Sequence, residues 1–117
     1  MKEIKAYIRL EKAEEVVDAL EEAGVPGFTI IEVKALGAAC VPEDEKLSIE
    51  YGEPMSPITK LEVVCNDGDL DRLVDIITAA AYTGHKGDGK IFVSEVVCAV
   101  QIRTQERGEA ALAPPEN

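Results

Sequence analysis

The sequence predicts an α+β fold of the ferredoxin-like βαββαβ kind, an antiparallel sheet with two helices on one face, assembled from several copies. Three observations predict it. Strand-like and helix-like hydrophobic periods occur in the order β-α-β, and that order is then repeated. The 117 residues suit one domain with one core. The last strand-like run is apolar on both of its sides, which a sheet covered by helices on a single face does not explain.

Residues 2–10 alternate, with Ile4, Ala6, Ile8 and Leu10 on one side and Glu3, Lys5, Tyr7 and Arg9 on the other. Residues 11–23 change to a helical period, with Ala13, Val16, Val17, Leu20 and Ala23 on one face and carboxylates mostly outside it. Gly24 and Pro26 then stop the helix. FTIIEVKAL (28–36) reads as the second strand and ITKLEVVC (58–65) as the third. The turn NDGD (66–69) is rich in side chains that cap helices. Leu70, Leu73, Val74, Ile77 and Ala81 make the second helical face. IFVSEVVCAVQIR (91–103) reads as one long final strand. Val93, Val97 and Ala99 lie on one side of it, and Phe92, Val96, Cys98, Val100 and Ile102 on the other. With both helices on one sheet face, further copies of the chain are expected to cover the second.

The predicted domain covers residues 1–103. Within it, residues 37–57 show no period and carry three prolines, the mark of a functional or disordered insertion. Residues 104–117 read as a loose tail.

The net charge of -11 argues against nucleic acid or an anionic membrane surface as partner, but leaves room for a small anion held by a local cluster of donors. No run is long and apolar enough to span a membrane, and MKEIKAYIRL does not read as a signal peptide. Three well-separated cysteines without a CxxC pair predict neither a zinc site nor a disulfide framework, and fit a reduced, cytoplasmic setting. Cys65 and Cys98, in strand-like runs, are expected to be small core residues. Cys40 is a lone loop cysteine, reactive only where exposed. His85 reads as a solvated turn residue, and EDEK (43–46) as a solvated loop tip.

The densest chemistry lies in TGHKGDGKIFV (83–93). GDGK (87–90) is not a phosphate loop of the GxxxxGK[ST] type, because Lys90 leads into a strand rather than a helix, and a dinucleotide fingerprint fails for the same reason. Glycines still allow backbone N–H groups to converge on an anion, with Lys90 as a point charge. A helix-to-strand turn whose glycines serve left-handed positions explains the spacing as well. Spacing alone leaves both readings open.

The wording goes further. TGHKGDGKIFV resembles the C-terminal signature of the PII signal-transduction proteins. MKEIKAYIRLEKAEEVVDALEEAGVPGFTIIEVKALG is similar to that family's first half, and QIRTQERGEAAL to its tail. The resemblance implies a homotrimer, without enzymatic activity, that binds an adenine nucleotide between subunits. By position it implies nucleotide contacts from Thr29, Gly37, Glu62, Val64, Gly87, Asp88, Gly89, Lys90, Gln101 and Arg103. It also implies that residues 37–57, with Ala38, Ala39, Cys40 and Tyr51, form the mobile loop offered to a target such as a transporter or metabolic enzyme.

The chain departs from the family pattern at three places. Gln101 stands where the family usually has the first of two arginines, so one charge-assisted phosphate contact is missing. Ala39 stands where a glutamine helps to hold magnesium, ATP and 2-oxoglutarate, and Ile58 where a lysine grips the 2-oxoglutarate carboxylate. Tyr51 stands where the family's nucleotidylated tyrosine sits, but SIEYGEPMSP lacks that tyrosine's usual context, so modification is not expected. These departures favour ADP or AMP over ATP, with no obligatory cofactor and no metal. They resemble the carboxysome-associated PII-like branch, which implies bicarbonate as a second effector. The alternatives are a conventional nitrogen regulator responding to ATP and 2-oxoglutarate, an acylphosphatase-like hydrolase and a metal-binding trimer of the copper-tolerance type. The hydrolase lacks a visible nucleophile–base pair and the metal binder has a single histidine.

Overall fold

The computed structural model describes residues 1–114. Strand β1 (Lys2–Arg9) leads through a 3-10 turn into helix α1 (Ala13–Glu22). Strand β2 (Thr29–Leu36), the short β3 (Lys46–Ser48) and the long β4 (Glu53–Cys65) follow. Helix α2 (Leu70–Ala81) and strand β5 (Lys90–Glu95) complete the fold. The sheet is antiparallel, ordered β2-β4-β1-β5, with β3 on β4 beyond the end of β1. This is the ferredoxin-like α+β arrangement that the repeated β-α-β order predicts.

Period decides which side of the sheet is dry. Ile4, Ala6 and Ile8 of β1 and Leu61, Val63 and Cys65 of β4 point to one face and are buried against Val16 and Leu20 of α1 and Leu73, Ile77 and Ala81 of α2. Helix α1 stops where expected: the Val25 N–H donates to Leu20 O at 3.1 Å and the Gly24 N–H to Glu21 O at 3.0 Å, closing a Schellman motif. The opposite face carries Glu3, Lys5, Tyr7, Lys60, Glu62, Val64 and Phe92, which the register aligns in rows such as Thr29–Glu62–Lys5–Phe92. Phe92 is 55% exposed there. No helix among the described residues is long and apolar enough to cross a membrane.

Two segments differ from expectation. The aperiodic stretch 37–57 is partly sheet: β3 and the first three residues of β4 form a hairpin, closed by the Gly52 N–H on Ser48 O at 2.8 Å. Prolines 54 and 57 hid this strand, since proline lowers strand propensity. The long final strand is shorter than predicted. Its ladder with β1 ends at the pair Lys2–Glu95, followed by one last bond from the Val96 N–H to Met1 O at 3.1 Å. Residues 99–108 instead fold back on themselves. The Gln101 N–H donates to Glu106 O at 2.9 Å, the Gly108 N–H to Ala99 O at 2.9 Å, and Val100 bridges Arg107. Cys98 is therefore exposed rather than a core residue, and Val97 and Ile102 are almost fully exposed. The tail continues in a 3-10 turn (Gly108–Leu112), with Leu112, Ala113 and Pro114 beside Val25, Pro26, Val63 and Cys65. The remainder of the predicted loose tail, 115–117, lies outside the described residues.

Candidate functional site

The segment 82–89 joins α2 to β5 and is shaped by one carboxylate. Asp88 accepts hydrogen bonds from the Thr83 N–H and the Gly84 N–H at 2.9 Å each, from the Thr83 hydroxyl, and from Arg9 Nε at 2.9 Å. Burial pushes the Asp88 carboxyl up, but the Thr83, Arg9 and Gly84 donors outweigh it and hold the group well below the usual carboxylate range. Its lone pairs are thus occupied inside the loop. The sequence reading places Asp88 among ligand contacts; the structure shows its carboxylate organising the loop that would make them.

The glycines are required by close approach. A Cβ on Gly89 would lie 1.7 Å from Tyr7 O, and one on Gly87 would lie 3.0 Å from Pro42 Cδ and 3.1 Å from Val41 Cα. Both have left-handed φ angles, +101° and +104°. The loop is therefore pressed against β1 on one side and against the stem of the long segment on the other.

That stem is folded onto the sheet. The Val41 side chain is fully buried in a second apolar cluster with Ala35, Ile58, Tyr7 and Val33. The Val41 N–H donates to Ser56 Oγ at 2.9 Å. Cys40, expected as an ordinary loop cysteine, is buried, and its thiol donates to Ala35 O at 3.1 Å. Glu43 is not simply part of a solvated tip: its carboxylate accepts from Arg9 Nη1 at 3.2 Å. The exposed tip lies further along, at Leu47, Ile49 and Tyr51, where Lys34 lies 5.9 Å from the Tyr51 ring centre.

Between glycine loop and stem lies a cleft of about 650 Å³. Its lining brings Gly87, Asp88, Gly89 and Lys90 together with Ala38 and Ala39, on a floor that includes Tyr7, Val33 and Ile58. Lys34 and His85 stand at it, and among the described residues Lys90 has no salt-bridge partner. A concave apolar floor with unpaired cationic and backbone donors suits a flat, anionic small molecule. No cluster of three metal-ligating side chains occurs among the described residues.

The other candidates do not line this cleft. Gly37 is next to its wall, and Cys40 and Tyr51 face elsewhere. Thr29, Glu62 and Val64 lie along the helix-free face. Glu62 is 3.6 Å from Lys60. Gln101 and Arg103 lie in the folded-back turn after β5, with Arg103 exposed. Sequence reasoning missed Arg9 and Tyr7. Both fall on the outward side of a plainly alternating strand, and nothing in the local pattern marks their end of it as covered.

A family model described as "Nitrogen regulatory protein P-II" matches residues 1–106. The nitrogen regulatory proteins P-II 2 and P-II 1 of Methanothermobacter thermautotrophicus are 46% and 42% identical to this chain over 112 residues, spanning 96% of it and 97% of each of them. The nitrogen regulatory protein GlnK of Escherichia coli K12 is 41% identical over 112 residues, spanning 96% of this chain and 100% of GlnK.

Proposed function

Because the chain belongs to the nitrogen regulatory protein P-II family, whose members are regulatory signal-transduction proteins and not enzymes, we propose that it is a cytoplasmic, trimeric sensor of adenine nucleotides that controls a partner protein through residues 37–57. The observation that carries this reading is the shared cleft: Gly87, Gly89 and Lys90 of the glycine loop and Ala38 and Ala39 of the long segment's stem line one cavity. A ligand filling it touches both walls, so its binding energy depends on where the long segment stands. That dependence is what lets a small molecule set the shape offered to a partner.

The nucleotide reading favours ADP or AMP over ATP. Gln101 supplies no guanidinium, and Ala39 offers no side-chain ligand atom at the cleft wall. Ile58 is buried in the apolar floor. Lys60, the nearest lysine on that strand, lies 3.6 Å from Glu62 and 5.7 Å from the Tyr7 ring centre, so it is already engaged. These features support a second effector smaller than 2-oxoglutarate, such as bicarbonate. Thr29, Glu62, Val64 and Arg103, all outside the single-chain cleft, fit a site completed by a neighbouring copy. A conventional nitrogen regulator responding to ATP and 2-oxoglutarate is the second reading, favoured by the names of relatives at 41–46% identity.

Calorimetric titration with ATP, ADP and AMP separates the two, each repeated with magnesium plus 2-oxoglutarate and again with bicarbonate. The proposed sensor binds ADP or AMP best, ignores 2-oxoglutarate and shifts with bicarbonate. Tighter ATP binding in the presence of 2-oxoglutarate would assign the conventional role.

A further inference from the structure

Arg9 touches both loops that frame the cleft. Its side chain is 4% exposed. Two corners of the guanidinium belong to the glycine loop: Nε donates to Asp88 Oδ1 and Nη2 to Lys86 O, both at 2.9 Å. The third corner belongs to the long segment, where Nη1 donates to Glu43 at 3.2 Å, with Glu11 at 3.6 Å beside it. The partners differ in how firmly they are held. Asp88 is 24% exposed and satisfied by four donors, whereas the Glu43 side chain is 60% exposed. The same two segments also meet at Gly87, against Val41 and Pro42.

We infer that Arg9 is a positioning residue that couples the glycine loop to the long segment, with the Glu43 contact as its releasable end. A planar, permanently charged fork can serve three acceptors in fixed directions, which an ammonium cannot. Displacement of the glycine loop moves Lys86 O and Asp88 and carries the guanidinium with them. The stem of the long segment must then follow or lose Glu43. Because Glu43 is solvated, losing it costs far less than breaking the Asp88 side, so the stem is the part that opens. This inference rests on the reading of the cleft as a ligand site, but the hold of Arg9 on the stem exists without ligand.

The test is hydrogen exchange of residues 40–45 and 83–89 in the full chain, for the parent, Glu43→Gln, Arg9→Lys and, as a control, Glu11→Gln. Without any ligand, Glu43→Gln speeds exchange in 40–45 by about three- to fivefold and leaves 83–89 unchanged, the behaviour of a locally opened stem. Arg9→Lys speeds both segments, and Glu11→Gln neither. With saturating ADP, the parent changes its exchange in 40–45 and Glu43→Gln does not. Unchanged ligand-free exchange in Glu43→Gln overturns the coupling whatever the nucleotide does. Calorimetry of the parent with ATP, ADP and AMP reports separately on the ligand reading.

Discussion

Arg9 Nε meets Asp88 Oδ1 at 2.9 Å, although 79 positions separate them in sequence. The bond ties the end of the first strand to the turn before the last, and Asp88 adds the Thr83 and Gly84 donors that close that turn. Arg9 is buried, so removing its main counter-charge leaves a guanidinium with weaker partners. Replacing Asp88 by Asn is expected to lower stability by about 3 kcal/mol, the low end for breaking a buried pair, because Glu43 and Lys86 O remain. Urea unfolding at fixed protein concentration measures this. A loss near zero would mean that the loop is not held by its carboxylate.

The same carboxylate sets an acid limit. The folded state depresses the Asp88 carboxyl below its ordinary 3.8, and the Glu43 carboxyl is depressed below its ordinary 4.5 by its own backbone N–H and by Arg9. A depressed carboxyl contributes stability that is present above its ordinary value and is lost as pH falls below it. Neither group therefore makes stability vary between about pH 6 and about pH 8, and both weaken the fold below about pH 4. The Asp88→Asn variant is expected to show a shallower acid limb in a pH series of urea midpoints. An acid limb as steep as the parent's would place the responsible carboxylates elsewhere.

Gly89 admits no side chain. A Cβ there falls 1.7 Å from Tyr7 O, a backbone atom within the β1–β5 ladder. The left-handed φ alone costs a non-glycine residue roughly 1 kcal/mol or more, and the overlap must be relieved by pulling β5 from β1. Gly89→Ala is expected to lose more stability than Gly87→Ala. At Gly87 the neighbours are Pro42 and Val41 of the stem, which can shift. Gly87→Ala should instead speed hydrogen exchange of residues 40–45. Equal stability losses would contradict the distinction between a strand wall and a movable one.

Much of the fold was legible because period carries it. Val16, Leu20, Leu73 and Ile77 mark their buried faces by spacing alone, and all four are buried. The glycine loop was legible by wording, and Gly87, Asp88, Gly89 and Lys90 line the cleft together with Ala38 and Ala39. What was not legible depends on non-local pairing. Nothing near Val96 announces that pairing with β1 stops after it and that Val100 pairs with Arg107 instead. Nothing near Arg9 announces that residues 41–43 fold back over it. Cys40 reads as a loop residue because its burial is created by Ala35 and Pro54, whose carbonyls receive its thiol. Asp88 looks like a ligand contact, and only its four donors show what it does for the loop.

Gln101 offers a gain-of-function test of nucleotide preference. Its backbone is fixed by the bond from its N–H to Glu106 O, and the Gln105 N–H donates to Gln101 O at 2.7 Å, so the side chain can change without disturbing the turn. If the proposed inter-subunit site brings residue 101 to the terminal phosphate, a guanidinium placed there would add a charge-assisted bond worth roughly 1.5–3 kcal/mol. Gln101→Arg is therefore expected to tighten ATP binding by about tenfold or more and to leave AMP nearly unchanged, because AMP lacks the β- and γ-phosphates. Calorimetry on parent and variant at one ionic strength gives the two ratios. If ATP and AMP tighten alike, the new charge acts as a general attraction rather than a directed bond. If neither changes, residue 101 does not face the phosphates, and any preference for ADP or AMP must arise from Ala39 and the apolar floor around Ile58.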